Sequence, residues 1–253
     1  MRTQPAYWGP RQYQIRSPKF EIRNSLAVCD LDLDMLTCLI VASPQLSTPQ
    51  PMDQIEAFIL AGGASSRMGK DKAELLIENQ SFIQRIADIL FAVIKSVTVV
   101  GRSNTDPRLK TALDVYPGWG ALGGLHAALQ SCTSSWAFVI ACDLPFVTSE
   151  LVSRLADERS QYEAVVCIQP DGRPQPLCAL YSVQPCLSVA AKLIEQGKRR
   201  PLDLLERVNT RWVPFRELTE LARSEKFFVN INTPEDYYEA IRIEANANHH
   251  RQP

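Results

Sequence analysis

A glycine-rich, basic loop directly after an apolar run limits the folds open to this chain more than any other feature. The run Ile55–Leu60 has the length and composition of a buried β-strand. The residues that follow hold glycines, serines and three cations, in the order LAGGASSRMGKDK from Leu60 to Lys72. Glycines let successive backbone N–H groups approach a ligand, and cations neutralise phosphate charge. The pattern predicts an α/β protein whose first strand leads into a nucleotide-phosphate loop.

The spacing of this loop excludes the two commonest phosphate-binding motifs. A Walker A loop needs G-x-x-x-x-G-K-[ST], whereas here Gly63 and Gly69 are six residues apart and an aspartate follows Lys70. The loop also lacks the dinucleotide fingerprint G-x-G-x-x-G. An ordinary Gly/Ser-rich surface turn is the alternative, but flexible linkers rarely carry several cations directly after a buried strand.

From residue 54 to residue 245, strand-like apolar runs alternate with helix-like spacing. Repeated strand–helix units predict an α/β fold: a doubly wound, mostly parallel sheet with helices on both faces, plus a small antiparallel hairpin at the turn 170–173. The predicted strands are Ile55–Leu60, Val97–Val100, Trp136–Ala141, Glu163–Ile168, Pro176–Tyr181, Arg211–Phe215 and Phe227–Asn230. The predicted helices lie over 82–93, from Gly123, from a cap at Ser149, over Gln184–Gln196 (ended by Gly197), over Leu202–Val208 and from Pro234.

The two ends of the chain differ from this central part, which we expect to form a single domain over residues 52–245. Residues 1–51 are rich in proline and lack a long period, which predicts a poorly ordered extension; translation that started at Met52 would omit it. The apolar cluster Met35–Ala42 is too short to span a bilayer, which takes about 20 residues. Acidic residues precede the cluster, unlike in a signal peptide. Residues 246–253 are expected to be a disordered tail.

The composition excludes several classes of function. A net charge of −1 gives no electrostatic basis for binding nucleic acid or an anionic membrane. The seven cysteines are scattered without a C-x-x-C pair, which indicates reduced thiols in a cytoplasmic protein rather than a disulfide framework. Only His126 lies outside the C-terminal tail, so neither a Ser/His/Asp triad nor a His-rich zinc site is expected.

Two aspartates are candidate ligand groups, because ligands of such sheets bind at the carboxyl ends of the strands. Asp143 follows the strand that ends at Ala141 by two residues, and a carboxylate there suits Mg²⁺, which takes one or two carboxylates plus substrate phosphates. A turn aspartate ahead of Pro145 is the alternative. Asp114 begins a Pro/Gly-rich loop, where it could accept hydrogen bonds from the N1–H and N2–H₂ groups of guanine or only initiate the turn.

Several segments together resemble the molybdenum cofactor guanylyltransferases, within the nucleotidyltransferase superfamily. They are the L-A-G-G-x-S-x-R-M-G-x-D-K loop from Leu60, the D-x-x-P-G-x-G-x-L-G-G segment from Asp114, and C-D-x-P at Cys142–Pro145. In the second segment Ala121 replaces a proline of the family. A weaker match, N-x-N-T-P-E at Asn230–Glu235, is equally an ordinary helix start. The resemblance covers Ile55 to about Ala245.

The resemblance implies a nucleotide-diphospho-sugar-transferase-like variant of the Rossmann fold. It also implies transfer of GMP from GTP to the phosphate of molybdenum-bound molybdopterin, with Mg²⁺ as cofactor and release of pyrophosphate. Transient contact with cofactor-inserting proteins and apo-molybdoenzymes is a further expectation. The residues assigned to catalysis are Arg67, Lys72 and Asp143, with the metal on Asp143. Those assigned to GTP are Leu60, Ala61, Gly62, Gly63, Lys72, Gly101, Asp114 and Asp143, and those assigned to the pterin are Asn230, Asn232 and Arg199.

One departure from the family and two alternative functions follow from the same residues. The family binds the base with an asparagine after the second strand, but the aligned position here falls at Val100 or Gly101.

The first alternative function is another nucleotidyltransferase, one that uses CTP on molybdopterin or acts on a sugar or isoprenoid phosphate. Relatives that use CTP tend to have L-A-A-G at the start of the loop, whereas this chain has L-A-G-G with Gly62. A nonenzymatic nucleotide-binding module is the second, although it predicts the loss of the carboxylate or cations that are present here.

Overall fold

A mixed sheet with helices on both faces forms the centre of the computed structural model, which describes residues 51–62, 75–104 and 106–249. The strands are β1 Ile55–Leu60, β2 Leu76–Ile77, β3 Gln80–Ser81, β4 Val97–Val100, β5 Lys110–Ala112, β6 Trp136–Ala141, β7 Ala164–Ile168, β8 Pro174–Ser182 and β9 Thr210–Val213. The helices are α1 Phe82–Phe91, α2 Gly120–Ser131, α3 Ser149–Asp157, α4 Val183–Glu195, α5 Pro201–Leu205 and α6 Pro234–His249. Short 3₁₀ turns connect several of them.

The seven-stranded sheet has the order β5-β4-β1-β6-β8-β7-β9. The pairs β5–β4, β4–β1, β1–β6 and β7–β9 are parallel. Strand β8 runs antiparallel to both of its neighbours, β6 and β7, so the predicted hairpin is part of the main sheet. The doubly wound, mostly parallel fold is confirmed, and β2 and β3 form a separate two-stranded sheet.

The apolar strands are explained by burial on both faces of the sheet. All six residues of β1 are buried, and its side chains other than Glu56 alternate between two cores. Ala57 and Ile59 join the core beneath α1 and α3, whereas Phe58 and Leu60 join the core beneath α2 and α4. Burial on both faces is what makes a parallel strand continuously apolar in sequence.

Local signals set several helix ends. Ser81 and Gln84 form a reciprocal capping box at the start of α1. The predicted stop at Gly197 is confirmed: its φ is +75°, and the N–H groups of Gly197 and Lys198 donate to Ile194 and Leu193 in a Schellman arrangement. The predicted cap at Ser149 is wrong by one residue, because the hydroxyl of Thr148 accepts the N–H of Leu151.

Other differences from the sequence prediction have local causes. Strand β5 was not predicted because it has only three residues at the sheet edge, two of them exposed. The β2–β3 hairpin was missed because its strands have two residues each, joined by Glu78 and Asn79 with positive φ. Phe227–Asn230 is not a strand: backbone turns occupy it, and Phe227 is buried in the main core. Helix α2 begins at Gly120 rather than near Gly123.

The described residues extend the folded part beyond both predicted boundaries. At the amino-terminal side, the buried guanidinium of Arg159 donates to the carbonyl of Pro51 at 3.0 Å. At the other side, α6 continues to His249, past residue 246, where the sequence predicts the start of a disordered tail. Within the described part of the chain, no helix is both long and apolar enough to cross a membrane.

Candidate active site

Four loops lie side by side at the carboxyl edge of the sheet. The N–H of Gly101 donates to Ala112 at 3.1 Å and that of Ala61 to Val100 at 3.0 Å. On the other side of β1, the N–H of Cys142 donates to Leu60 at 3.1 Å. These bonds extend the sheet pairing past the ends of β5, β4, β1 and β6. Since neighbouring strands are about 4.8 Å apart, the outer two of these loops lie roughly 14 Å from each other.

The loops after β1 and β4 touch through two glycines. Gly101 has φ +87°, and a Cβ placed on it would lie 2.8 Å from the Cα of Gly62. A Cβ on Gly62 would lie 3.3 Å from the Cα of Gly101. This contact disfavours a side chain on Gly101, one of the two positions where the family's asparagine would fall, because the backbone conformation and the approach of Gly62 both oppose it. Any ligand contact at this position therefore comes from the backbone.

Asp143 begins the loop after β6, next to the segment that the N-x-N pattern singles out. Its side chain is half-buried, and its backbone carbonyl accepts the N–H of Ile231 at 3.1 Å. Ile231 is fully buried, whereas Asn230 is half-buried and Asn232 is exposed. The structure thus brings the Asn230–Asn232 segment against the Asp143 loop.

The residues just after Asn232 are occupied in starting α6. One carboxylate oxygen of Asp236 accepts the N–H groups of Asn232 and Thr233, both at 2.9 Å. The N–H of Asp236 in turn donates to the hydroxyl of Thr233 at 3.1 Å. The helix-start interpretation of T-P-E-D is therefore confirmed. It applies to Thr233 and Asp236 and leaves the role of the two asparagines as a separate question.

Asp114 forms a turn in the loop after β5, the outermost of the four loops on the side away from Asp143. Its Oδ1 accepts the N–H of Tyr116 at 3.1 Å, so the predicted turn role is present. A carboxylate carries a second oxygen, so the turn bond and a base contact are compatible. Behind it lies His126, edge-on to the Tyr116 ring with 5.0 Å between ring centroids. Burial lowers the pKa of His126, although the Asp114 carboxylate acts in the opposite direction.

Arg199 lies with the Asp114 loop, apart from the other residues assigned to the pterin. Its guanidinium is 4.8 Å from the centroid of the Trp119 ring, and Nη1 donates to Gly118 at 3.4 Å. The indole N–H of Trp119 donates to the carbonyl of Lys198 at 2.9 Å. The residues assigned to the pterin therefore lie in two places. Arg199 contacts the loop that follows β5, and the two asparagines lie beside the loop that follows β6.

Of the remaining residues assigned to GTP or to catalysis, one packs in the core and three are not among the described residues. The Leu60 side chain packs beneath α2, where a Cβ on Gly124 would be 3.3 Å from it. Gly63, Arg67 and Lys72 lie outside the described residues. Sequence reasoning also missed Arg85, whose Nε donates to the carbonyl of Pro145 in the Asp143 loop at 3.2 Å. Its position inside the first turns of an amphipathic helix gave no signal of that contact.

The chemistry of this edge suits a metal that is bound mainly by its substrate. Among the described residues, no group of three or more His, Cys, Asp or Glu side chains comes together. At the end of β6, Asp143 supplies one carboxylate. Mg²⁺ commonly takes one or two protein carboxylates and completes its shell with water and substrate phosphates, so this donor set fits it.

Comparisons with known proteins identify the family. The MobA-like NTP transferase domain matches residues 57–210, from β1 to the start of β9. The chain belongs to this family. A protein of Carboxydothermus hydrogenoformans named "Probable molybdenum cofactor guanylyltransferase" is 32% identical over 198 residues, which cover 76% of this chain and 98% of the relative. The MobA-like match includes Gly62, Gly101, Asp114 and Asp143 and ends before the N-x-N segment.

Solved structures give the same assignment. Molybdopterin-guanine dinucleotide biosynthesis protein A from Archaeoglobus fulgidus superposes with a TM-score of 0.66 at 26% identity, covering 76% of this chain and 99% of that one. A 2-C-methyl-D-erythritol 4-phosphate cytidylyltransferase from Thermus thermophilus has a TM-score of 0.56 at 15% identity, covering 74% of this chain and 98% of that one. The second likeness concerns the fold alone, so the MobA-like fold does not determine which base is used.

Proposed function

We propose that this protein transfers the GMP of GTP to the phosphate of molybdenum-bound molybdopterin and releases pyrophosphate, forming the guanine dinucleotide cofactor. One observation carries the proposal: Asp114, Gly101, Gly62 and Asp143 follow one another along a single sheet edge. A nucleoside triphosphate is an elongated molecule with hydrogen-bond donors on guanine at one end and phosphates at the other. The names of the full-length relatives supply the acceptor.

We infer the direction of the bound nucleotide from the order of the four residues. Guanine would face Asp114, whose carboxylate accepts from N1–H and N2–H₂, and the ribose would cross the Gly62–Gly101 contact, where no side chain intervenes. The triphosphate would follow the glycine loop toward Asp143. The acceptor would approach from the Asn230–Asn232 side, because that segment is bonded to the Asp143 loop. Arg199, on the Asp114 loop, would then serve the nucleotide end rather than the pterin.

The transfer itself needs positioning and charge neutralisation more than proton chemistry. An oxygen of the acceptor phosphate forms a bond to the α-phosphorus of GTP, the bond from that phosphorus to the bridging oxygen breaks, and pyrophosphate leaves with the electron pair. A phosphate monoester has a second pKa of about 6, so the acceptor is largely dianionic at pH 7 and needs no general base.

The remaining roles are assigned by chemical type. Asp143 would hold Mg²⁺, which when bound neutralises charge on the phosphates. Arg67 and Lys72, by their resemblance to the family, would stabilise charge on the α-phosphate and on the departing pyrophosphate. We further propose that the protein acts in the cytoplasm, in transient contact with cofactor-inserting proteins and apo-molybdoenzymes. The cysteines of the described residues are free thiols, which fits a reducing compartment.

Nucleotide preference tests the proposal, with a variant that separates the two roles of Asp114. Asp114→Asn keeps an oxygen for the Tyr116 N–H but removes the charge and one acceptor. Charge-assisted hydrogen bonds contribute about 1.5–3 kcal/mol, so wild type should bind GTP at least tenfold more tightly than ITP, ATP or CTP. The variant should lose that preference and keep its thermal stability. An unchanged preference in the variant would leave Asp114 as a turn residue only, and a wild-type preference for CTP would favour the cytidylyltransferase alternative.

A further inference from the structure

A buried ion pair joins α1 to α6. Nη2 of Arg85 lies 2.7 Å from Oε1 of Glu244, and their side chains are 12% and 8% exposed. The other oxygen of Glu244 lies 2.7 Å from Nη2 of Arg223. Because Glu244 covers its guanidinium, Arg85 is not presented as a free cation for phosphate. Its role must therefore come from what it connects.

The same guanidinium reaches the Asp143 loop. Nε of Arg85 donates to the carbonyl of Pro145 at 3.2 Å, and the guanidinium carbon lies 5.8 Å from the centroid of the Phe146 ring. Pro145 and Phe146 follow the proposed metal ligand by two and three residues. Arg85 thus contacts α6 with one nitrogen and the Asp143 loop with another.

A second connection joins the segment before α6 to the Asp143 loop. The N–H of Ile231, just before α6, donates to the carbonyl of Asp143 at 3.1 Å. A small hydrophobic cluster encloses this junction, and its buried members are Ile77, Phe82, Phe146, Ile231 and Ala240. It is separate from the two large cores on the faces of the sheet. The α6 region is therefore attached to the Asp143 loop at two points, with apolar packing between them.

Stability alone does not account for an ion pair in such a place. Taking two charges out of water costs about as much as their attraction returns, and well-packed apolar residues often serve stability equally well. What a planar guanidinium adds is directional geometry, since its donors form a rigid fork. The fork of Arg85 fixes the distance between α6 and the carbonyl of Pro145.

We propose that Arg85 and Glu244 are a positioning pair that holds the Asn230–Asn232 segment in register with Asp143, so that the acceptor phosphate is aligned with the α-phosphate of the nucleotide. The proposal rests on the proposed function for its catalytic part. Its structural part is independent of that function, because the Ile231 N–H to Asp143 bond reports the register directly. Neither residue touches the substrates; both act through the loop and the segment that they connect.

The test compares two buried glutamates that are equally inaccessible. Counted over the whole residue, Glu244 is 6% exposed and Glu56 is 7% exposed. Glu56, however, accepts hydrogen bonds from Thr133 and Ser134 at the amino-terminal ends of the parallel strands. Glu244→Gln and Glu56→Gln therefore remove the same charge at the two ends of the molecule. Amide hydrogen exchange at Ile231 is measured under strongly native conditions, where exchange reports local opening.

The proposal expects a specific pattern. Loss of a charge-assisted bond should speed Ile231 exchange roughly tenfold or more in Glu244→Gln, with no local change in Glu56→Gln. The KM for molybdopterin should rise and kcat fall in Glu244→Gln, while GTP affinity stays within about twofold. Arg85→Lys, which keeps a cation for Glu244 but cannot also reach Pro145, should show the same kinetic change and serves if Glu244→Gln does not fold.

Three results would overturn it: unchanged Ile231 exchange in Glu244→Gln, equal effects of the two glutamine variants, or faster exchange with unaltered KM and kcat. A wild-type protein that forms no product from GTP and molybdopterin would instead refute the proposed function. In that case the exchange comparison still decides whether the pair holds the register.

Discussion

Replacing Gly101 by alanine should damage nucleotide binding through a contact between two backbones. The substituted residue must keep a φ of +87°, which costs an L-residue roughly 1–2 kcal/mol. Its Cβ would lie 2.8 Å from the Cα and 3.0 Å from the N of Gly62, and overpacking of that kind typically costs about 1–3 kcal/mol. We therefore expect a total loss of roughly 2–5 kcal/mol in unfolding free energy, or a displaced Gly62 loop.

The matched control is Gly172→Ala at the tip of the β7–β8 hairpin. Gly172 has a φ of +81°, but a Cβ on it would meet nothing within 4 Å, so only the conformational cost applies. Urea unfolding gives the stability of both variants, and calorimetry gives their GTP affinity. Gly101→Ala should weaken GTP binding at least tenfold, whereas Gly172→Ala should leave it unchanged. Equal stability losses and equal GTP affinities in the two variants would refute the claim that the Gly62–Gly101 contact shapes the site.

Three further outcomes are expected. Lys72→Ala should lower kcat about 10²-fold or more in a pyrophosphate-release assay, the scale of losing one preorganised electrostatic contact, and a smaller loss would contradict its role. A chain that starts at Met52 lacks the Pro51 carbonyl that accepts from Arg159, so chemical denaturation should show it to be less stable than one that starts at Ser47, by roughly 1–3 kcal/mol. Burial acts to raise the pKa of Glu244, but hydrogen bonds from its two arginine partners outweigh it and hold that pKa below its ordinary 4.5. The stability that this group contributes is therefore present above pH 4.5 and lost as the pH falls, which urea titrations of wild type and Glu244→Gln between pH 6 and pH 3 should resolve.

The sequence predicts the centre of the fold well because burial leaves a clear pattern there. Apart from Glu56, strands β1 and β6 are apolar on both faces, and both were placed to the residue. Gly197 marked the end of α4 because a left-handed residue is required at that point. Strand β5 left no such pattern, since its pairing with β4 at the sheet edge comes from tertiary structure rather than from its own side chains.

The candidate site likewise has a part that the sequence predicts and a part that it does not. Asp114, Gly62 and Asp143 lie along one sheet edge because the order β5-β4-β1-β6 places the ends of their strands side by side, and the strand-end rule anticipates this once the strands are known. Ile231 is buried between two more accessible asparagines, although its segment is irregular rather than the predicted strand. The Arg85–Glu244 pair joins residues far apart in the chain, and neither helix shows a pattern that would match one to the other.

Formation of the guanine dinucleotide tests the central claim most directly. Wild type and Asp143→Asn are incubated with GTP labelled at the α-phosphate and with molybdenum-loaded molybdopterin, and labelled product and pyrophosphate are both counted. We expect one labelled guanylyl group on the pterin for each pyrophosphate released, an absolute need for added Mg²⁺, and no product from Asp143→Asn although it folds normally. Pyrophosphate release without labelled pterin, preferential transfer from CTP, or full activity of Asp143→Asn would contradict the account.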